Sequence, residues 1–202
     1  MRYSSKLPVM ERFLSIQGEG ENTGALSWFI RLAGCDVGCS WCDVKESWQV
    51  SDDQYFEVDF LVEEARNSGA KNVVITGGEP CMYQLDTLTE GIRTAGLKTW
   101  LETSGSYPIT GFWSWICISP KKFKLPIREQ LHRADELKII VANKADLEWA
   151  EEFGTLVKNQ CRKYVQPEWS KRQKVMQSIL DFQAKHSEWV VSIQSHKYLD
   201  LP

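Results

Sequence analysis

The chain has 202 residues and a formal net charge of −3, a size that supports one compact domain, residues 1–202, able to bury a core without disulfides. Charges of both signs are mixed along it with no basic run or block of like charge, so neither a nucleic acid nor a membrane surface is expected as partner, and a small molecule is. No stretch approaches the roughly 18 apolar residues of a membrane span and residues 1–8 lack a basic-then-apolar leader pattern, which predicts a cytoplasmic protein whose six cysteines stay reduced.

In chain order, short apolar runs alternate with amphipathic ones. The first strand-like run, 28–32, leads into a loop holding Cys35, Cys39 and Cys42. A helical pattern follows, with Val58, Leu61, Val62 and Ala65 at i, i+3, i+4, i+7 and Gly69 as the stop. Run 72–76 ends in Thr76-Gly77-Gly78-Glu79-Pro80, and a second helix carrying Leu85, Leu88, Ile92 and Ala95 stops at Gly96. Run 98–102 ends in Glu102-Thr103-Ser104-Gly105, and run 115–119 in Ser119-Pro120-Lys121. Run 136–141 precedes a helix over 144–153. Run 163–165 ends in Gln166-Pro167-Glu168 before a helix over 171–186, where Val175, Ile179 and Phe182 share a face. Run 190–194 closes on Gln194-Ser195-His196-Lys197.

This alternation predicts an α/β fold of parallel strands with outer helices. The chain is shorter than the ~250 residues of a full eightfold barrel, so an incomplete, partial TIM-type barrel is expected. In such a barrel the strand ends deliver their loops to one face, where active sites are built. Ordinary turns explain polar residues at those ends, but not such specific tetrapeptides at so many of them.

Cys35, Cys39 and Cys42 have the spacing Cys-x3-Cys-x2-Cys directly after a strand. Three thiolates on one short loop can each bind one iron of a [4Fe–4S] cubane, leaving the fourth iron open. A structural zinc site wants a fourth Cys or His in paired spacing, and none is present. The open iron can be chelated by the amino and carboxylate groups of S-adenosylmethionine (SAM). Electron transfer to its sulfonium then yields a carbon radical, which the protein must orient and shield. Trp41, between two ligands, either covers the cluster, packs against the nucleoside, or belongs to the core. Cys81, Cys117 and Cys161 stand alone and read as small buried hydrophobes.

Cys-x3-Cys-x2-Cys with an aromatic before the last cysteine is similar to the radical SAM superfamily signature. Thr76-Gly77-Gly78-Glu79-Pro80 resembles that superfamily's Gly-Gly-Glu-Pro motif, which supports the SAM amino group. The physics agrees: two glycines let a backbone approach a ligand, and Glu79 with nearby carbonyls can accept from an ammonium. The segments 13–20, 28–35, 41–43, 102–105, 119–121, 136–138, 166–167 and 196–202 together resemble one family, 7-carboxy-7-deazaguanine synthase of the 7-deazapurine (queuosine precursor) pathway. The opening Ser15-Ile16-Gln17-Gly18-Glu19-Gly20 and the closing His196-Lys197-Tyr198-Leu199 are its family-specific parts. The resemblance implies a radical SAM core and a carbon–nitrogen lyase. That enzyme would convert 6-carboxy-5,6,7,8-tetrahydropterin to 7-carboxy-7-deazaguanine with release of ammonia. Hydrogen would be taken from the pterin, the ring would contract, and the hydrogen would return to regenerate SAM. It also implies a homodimer and a reductant such as flavodoxin or ferredoxin.

By the same resemblance, SAM is expected at Trp41, Cys42, Asp43, Gly78, Glu79, Thr103, Ser104, Ser119, Pro120, Lys121, Gln166, Pro167, Glu168 and Trp169. The substrate is expected at Ile16, Gln17, Gly18, Glu19, Arg31, Thr76, His196 and Pro202. A carboxypterin has a guanidine-like edge that wants acceptors and a carboxylate that wants cations or N–H donors. Gln17 and Glu19 suit the edge, unless the segment is a simple turn or helix cap. Arg31, in an apolar run, wants an anion, either the substrate carboxylate or a structural partner. His196 would donate to the same carboxylate, or be structural, and in the family the terminal proline's carboxylate, here at Pro202, reaches the substrate. One position departs from the family pattern. Relatives often have Thr or Ser after the Cys-Asp pair, where the hydroxyl helps bind Mg2+, but here Val44 offers no oxygen. Either water or backbone replaces the hydroxyl, or Mg2+ is absent and Lys45 supplies positive charge; a weakened or absent Mg2+ requirement is expected.

Two rival readings share parts of this pattern. A glycyl-radical activase would use the same cysteine loop, but Gln17-Gly18-Glu19 and the 196–202 tail argue against it. A non-catalytic iron–sulfur or zinc module would need a complete set of protein ligands, which the loop lacks. Nothing in the sequence supports a regulator that merely keeps the fold.

Overall fold

The computed structural model describes residues 6–202, so the first five residues of the stretch read as lacking a leader lie outside the described residues. The chain runs β1 (Lys6–Ile16), β2 (Leu26–Leu32), β3 (Tyr55–Glu57), α1 (Val58–Asn67), β4 (Asn72–Gly77), α2 (Asp86–Thr94), β5 (Lys98–Thr103) and β6 (Trp115–Ile118). It continues through α3 (Arg128–Leu131), β7 (Glu136–Val141), α4 (Ala145–Gly154), β8 (Arg162–Pro167), α5 (Arg172–Gln183), β9 (Trp189–Val191) and α6 (Ser195–Tyr198). The strands form one open sheet in the order β3-β1-β2-β4-β5-β6-β7-β8-β9. From β2 through β9 every neighbouring pair is parallel, as the alternation predicts, and the fold is a partial barrel.

All seven expected strands are present, the last of them shortened to Trp189–Val191. Two strands were not expected. β1 pairs antiparallel with β2, with a register shift between Val9 and Glu11, and the short β3 pairs antiparallel with β1. Glu11 and Arg12 break the apolar pattern of β1, yet each finds an ion partner across the fold: Arg31 Nε lies 2.5 Å from Glu11, and Arg12 Nε lies 2.5 Å from Glu64.

The two faces of the sheet bury different things, because side chains alternate along a strand. On the outer face Ile30, Leu32, Val73 and Ile75 pack under Leu61, Ala65, Leu88 and Ile92 of α1 and α2. Further round, Leu137, Ile139 and Val165 pack under Ala150, Val175 and Ile179 of α4 and α5. Gly69 and Gly96, the expected stops of α1 and α2, both have φ of +80°, a left-handed backbone that L side chains avoid. On the inner face Phe29, Val74 and Trp100 form an apolar floor with Phe13 and Trp115. Two residues further along the same strands stand Arg31, Thr76 and Glu102, with Arg31 opposite Thr76 and Glu102 opposite Cys117 in register. The interior therefore changes from aromatic to charged toward the C-terminal strand ends. Among the described residues no helix is long and apolar enough to cross a membrane.

Candidate active site

A cleft opens at those strand ends, lined by all three clustered cysteines and by residues from the loops after β2, β4, β5, β6 and β8. The cysteine loop is held from two sides. Gly34 N donates to Ser47 O (2.7 Å) and Cys35 N to Trp48 O (3.2 Å), while Cys42 N closes a turn on Cys39 O (3.1 Å). On the rim, Tyr107 Oη (2.6 Å) and Lys124 Nζ (2.7 Å) both donate to Asp36. The Gly77-Gly78 pair packs directly against this loop. Gly78 N donates to Leu32 O (3.0 Å), and Glu79 N to Gly34 O (2.9 Å). A Cβ on Gly78 would lie 2.2 Å from Gly34 O and 2.7 Å from Cys35 Cβ. The glycines thus serve the cysteine loop, beyond the ligand contact expected from the sequence.

Cys35, Cys39 and Cys42 fit an iron–sulfur cluster. Burial pushes the Cys39 thiol up to about 11, with Lys121 opposing, and raises Cys35 as well. Thiols held protonated by burial are poor nucleophiles on their own and become thiolates when a metal displaces the proton. Among the described residues no three His, Cys, Asp or Glu side chains converge as a set for a single ion. A cubane in which each thiolate takes its own iron asks for a wider arrangement around one cleft. Cys81, Cys117 and Cys161 are buried, as expected of small hydrophobes.

Glu79 corrects one expectation. Its carboxylate is 1 % exposed and already accepts four hydrogen bonds. They come from Cys81 N (3.0 Å), Thr103 Oγ1 (2.5 Å), Ser104 N (2.8 Å) and Ser104 Oγ (2.5 Å). A carboxylate has about four lone-pair sites, so Glu79 is committed to fixing the Thr103-Ser104 turn rather than free to accept an ammonium.

The cleft also holds a charge cluster that sequence reasoning missed, centred on Lys138, whose side chain is 4% exposed. Lys138 Nζ donates to Glu19 Oε2 (2.6 Å) and to Glu102 Oε2 (2.9 Å). Gln17 Nε2 donates to Glu102 Oε1 (3.1 Å), its Oε1 accepts from Glu19 N (3.2 Å), and Gln194 Nε2 donates to Glu19 Oε1 (2.9 Å). Burial alone would raise the Glu19 carboxyl, but Lys138 and these hydrogen bonds override it and hold it at about 2. Glu19 is a fixed anion at the floor of the cleft.

The tail closes over the same segment. Ser195 N donates to Gly18 O (2.9 Å), and a Cβ on Gly18 would fall 1.9 Å from His196 Nδ1. Ser15 Oγ donates to Pro202 O (3.1 Å). The residues at 15–20 and 194–202 are thus brought together from opposite ends of the chain. Ile16, Gln17, Gly18, Pro120, His196 and Pro202 are not among the cleft-lining residues, whereas Glu19, Arg31, Thr76 and the other expected SAM positions are. Arg31 lines the cleft while also paired with Glu11, so both alternatives raised for it are compatible with its place. Gln166 accepts from Ser192 Oγ (2.7 Å), and Glu168 caps the turn at Trp169–Lys171 by accepting from Ser170 N (3.0 Å). Lys45 lies over the Trp48 ring, 5.9 Å from its centroid, and does not line the cleft.

Residues 29–112 match the Radical SAM superfamily. The 7-carboxy-7-deazaguanine synthase of Flavobacterium psychrophilum is 46% identical over 196 residues, 97% of this chain and 93% of the relative. That of a Synechocystis strain is 42% identical over 95% of this chain and 92% of the relative. The crystal structure of QueE from Escherichia coli superposes with a TM-score of 0.85 at 30% identity, covering 96% of each chain. The chain belongs to the 7-carboxy-7-deazaguanine synthase family.

Beside the Lys138 cluster of this 7-carboxy-7-deazaguanine synthase fold lies one more buried carboxyl. Glu136 is 2 % exposed and accepts from Glu21 N (3.1 Å) and Trp115 Nε1 (3.2 Å). Burial, partly offset by Lys138, pushes its carboxyl from 4.5 up to about 7. A raised carboxyl favours the fold while protonated, and that contribution is lost as pH rises through the folded value. Melting curves should show wild type losing stability relative to Glu136→Gln between pH 4.5 and about 7. A difference that stays constant across that window would contradict the assignment.

Proposed function

We propose that the chain converts 6-carboxy-5,6,7,8-tetrahydropterin to 7-carboxy-7-deazaguanine with release of ammonia, at the cleft between the cysteine loop and the Lys138 cluster. One observation carries this reading. The family-specific Gln17-Gly18-Glu19 segment and the 194–197 tail meet at a fixed anion on the floor of the cleft whose rim holds the three cysteines. When bound, the [4Fe–4S] cluster and SAM supply a carbon radical able to take hydrogen from carbon.

The chain's own residues bind, orient and shield. Cys35, Cys39 and Cys42 would hold the cluster. Trp41, which meets Phe123 edge-on at 6.2 Å and has Lys121 Nζ 5.7 Å above its ring, walls that side against water. Asp43, Gly78, Thr103, Ser104, Ser119, Lys121, Gln166, Pro167, Glu168 and Trp169 line the cleft where SAM would lie, with Glu79 setting the Thr103-Ser104 turn. Glu19, ionised under all physiological conditions, accepts from the guanidine-like edge of the pterin. Thr76 and Arg31 line the same cleft, and Arg31 offers the substrate carboxylate a cation. We further propose that residues 1–202 act as a single domain in the cytoplasm, as a homodimer, reduced by a flavodoxin or ferredoxin.

The test is anaerobic reconstitution with iron and sulfide, then incubation with SAM, reductant and the pterin, with products identified by chromatography and mass spectrometry. A 7-carboxy-7-deazaguanine peak dependent on SAM is expected. An intact cluster with no such product at any divalent-cation concentration would defeat the reading.

A further inference from the structure

We propose that Lys197 supplies the positive charge that a hydroxyl-anchored Mg2+ supplies in relatives with Thr or Ser after the Cys-Asp pair, so that this enzyme turns over without a divalent cation. The inference rests on the pterin reading above, because the charge is assigned to the oxygens of that substrate.

The residues around Val44 do not fit Mg2+. The ion requires near-octahedral oxygen coordination at short distance, and Val44 presents only methyl groups to the cleft it lines. One oxygen of the neighbouring carboxylate is engaged: Lys197 Nζ donates to Asp43 Oδ2 at 2.6 Å. The other cleft carboxylates are engaged as well, Glu79 by four donors, Glu19 and Glu102 by Lys138, and Glu168 by Ser170.

Lys197 instead fits the vacant electrostatic role. It lines the cleft beside Asp43 and Val44, and its side chain is 21% exposed against 61% for Asp43. Its ammonium also lies 5.4 Å from the Trp169 ring centroid, so it is held between the Asp43 carboxylate and an aromatic ring that both line the cleft. An ammonium is a compact point charge with three donors and no coordination geometry to satisfy. It can therefore meet substrate oxygens where Mg2+ would lack ligands. Lys45, the cation suggested by the sequence, does not line the cleft.

The experiment uses the reconstituted full chain, treated with chelator, assayed with and without added MgCl2. Wild type should show the same kcat and KM in both. Lys197→Met should raise the KM for the pterin about tenfold, the loss of one charge-assisted hydrogen bond, and leave SAM affinity unchanged. Lys197→Arg should recover part of that loss. Calorimetric titration of the SAM-loaded enzyme with oxidised 6-carboxypterin gives a readout free of turnover. Affinity should not depend on MgCl2 in wild type and should fall about tenfold in Lys197→Met. Turnover or pterin affinity in wild type that rises about tenfold or more with MgCl2 would overturn the inference while leaving the pterin reading intact. Equal pterin affinity in wild type and Lys197→Met would overturn it too. Absence of product with and without MgCl2 would defeat the pterin reading, and the inference with it.

Discussion

Lys138→Met should destabilise the fold by about 3–5 kcal/mol, the range for removing one partner of a buried ion pair and stranding the other. The side chain is 4% exposed and bridges Glu19 and Glu102, so the substitution leaves two carboxylates facing one another in the barrel interior. Loss of function should exceed loss of fold. Without Lys138 only the Gln194 hydrogen bond and His196 oppose the burial that raises the Glu19 carboxyl, so the carboxyl moves up and its hold as a fixed anion weakens. The KM for the pterin should rise while SAM affinity holds. The pH dependence gives a check that mere packing damage would not. A depressed carboxyl contributes stability above its ordinary value of 4.5 and loses it as pH falls toward about 2, so the gap between wild type and Lys138→Met should narrow across that window. Denaturant titrations at stepped pH measure it, and a gap independent of pH would contradict the pairing.

Cys39→Ala should abolish cluster assembly and reduce turnover to background, with the iron count falling from about four per chain. The fold should survive, because Cys39 sits on the cleft rim and not among the sheet-to-helix contacts that form the two main apolar clusters. Cys81→Ala and Cys161→Ala should keep both cluster and activity. Both thiols are pushed up to about 12, chiefly by burial, as inert core groups are. Iron analysis with visible absorption separates the two outcomes. Full iron content in Cys39→Ala, or its loss in Cys161→Ala, would overturn the ligand assignment.

How far the sequence reveals this structure depends on whether the signal is local. The parallel strands β4 to β8 are largely buried and carry short apolar stretches, such as Val73–Ile75 and Ile116–Ile118, that are legible locally. The cysteine loop is equally legible, since its spacing lies within eight residues. β1 is not, because Glu11 and Arg12 look like loop residues until Arg31 and Glu64 arrive beside them. The site divides the same way. Glu79 reads correctly as an acceptor, but its donors, Thr103 and Ser104, lie 24 and 25 residues on. Lys138 sits in an apolar strand with its partner Glu19 at a separation of 119 residues. A lysine inside such a run signals a buried partner, and that signal names no partner. Only the barrel does so.

A cleft that directs SAM-derived radical chemistry onto a reduced pterin and returns the hydrogen must pass hydrogen between the pterin and SAM. Deuterium placed on the reduced ring of 6-carboxy-5,6,7,8-tetrahydropterin tests it directly, with SAM recovered after anaerobic turnover and analysed by mass spectrometry. Deuterium should appear at the 5′ carbon of SAM, accumulating with 7-carboxy-7-deazaguanine. Product formed while the recovered SAM stays unlabelled would contradict it.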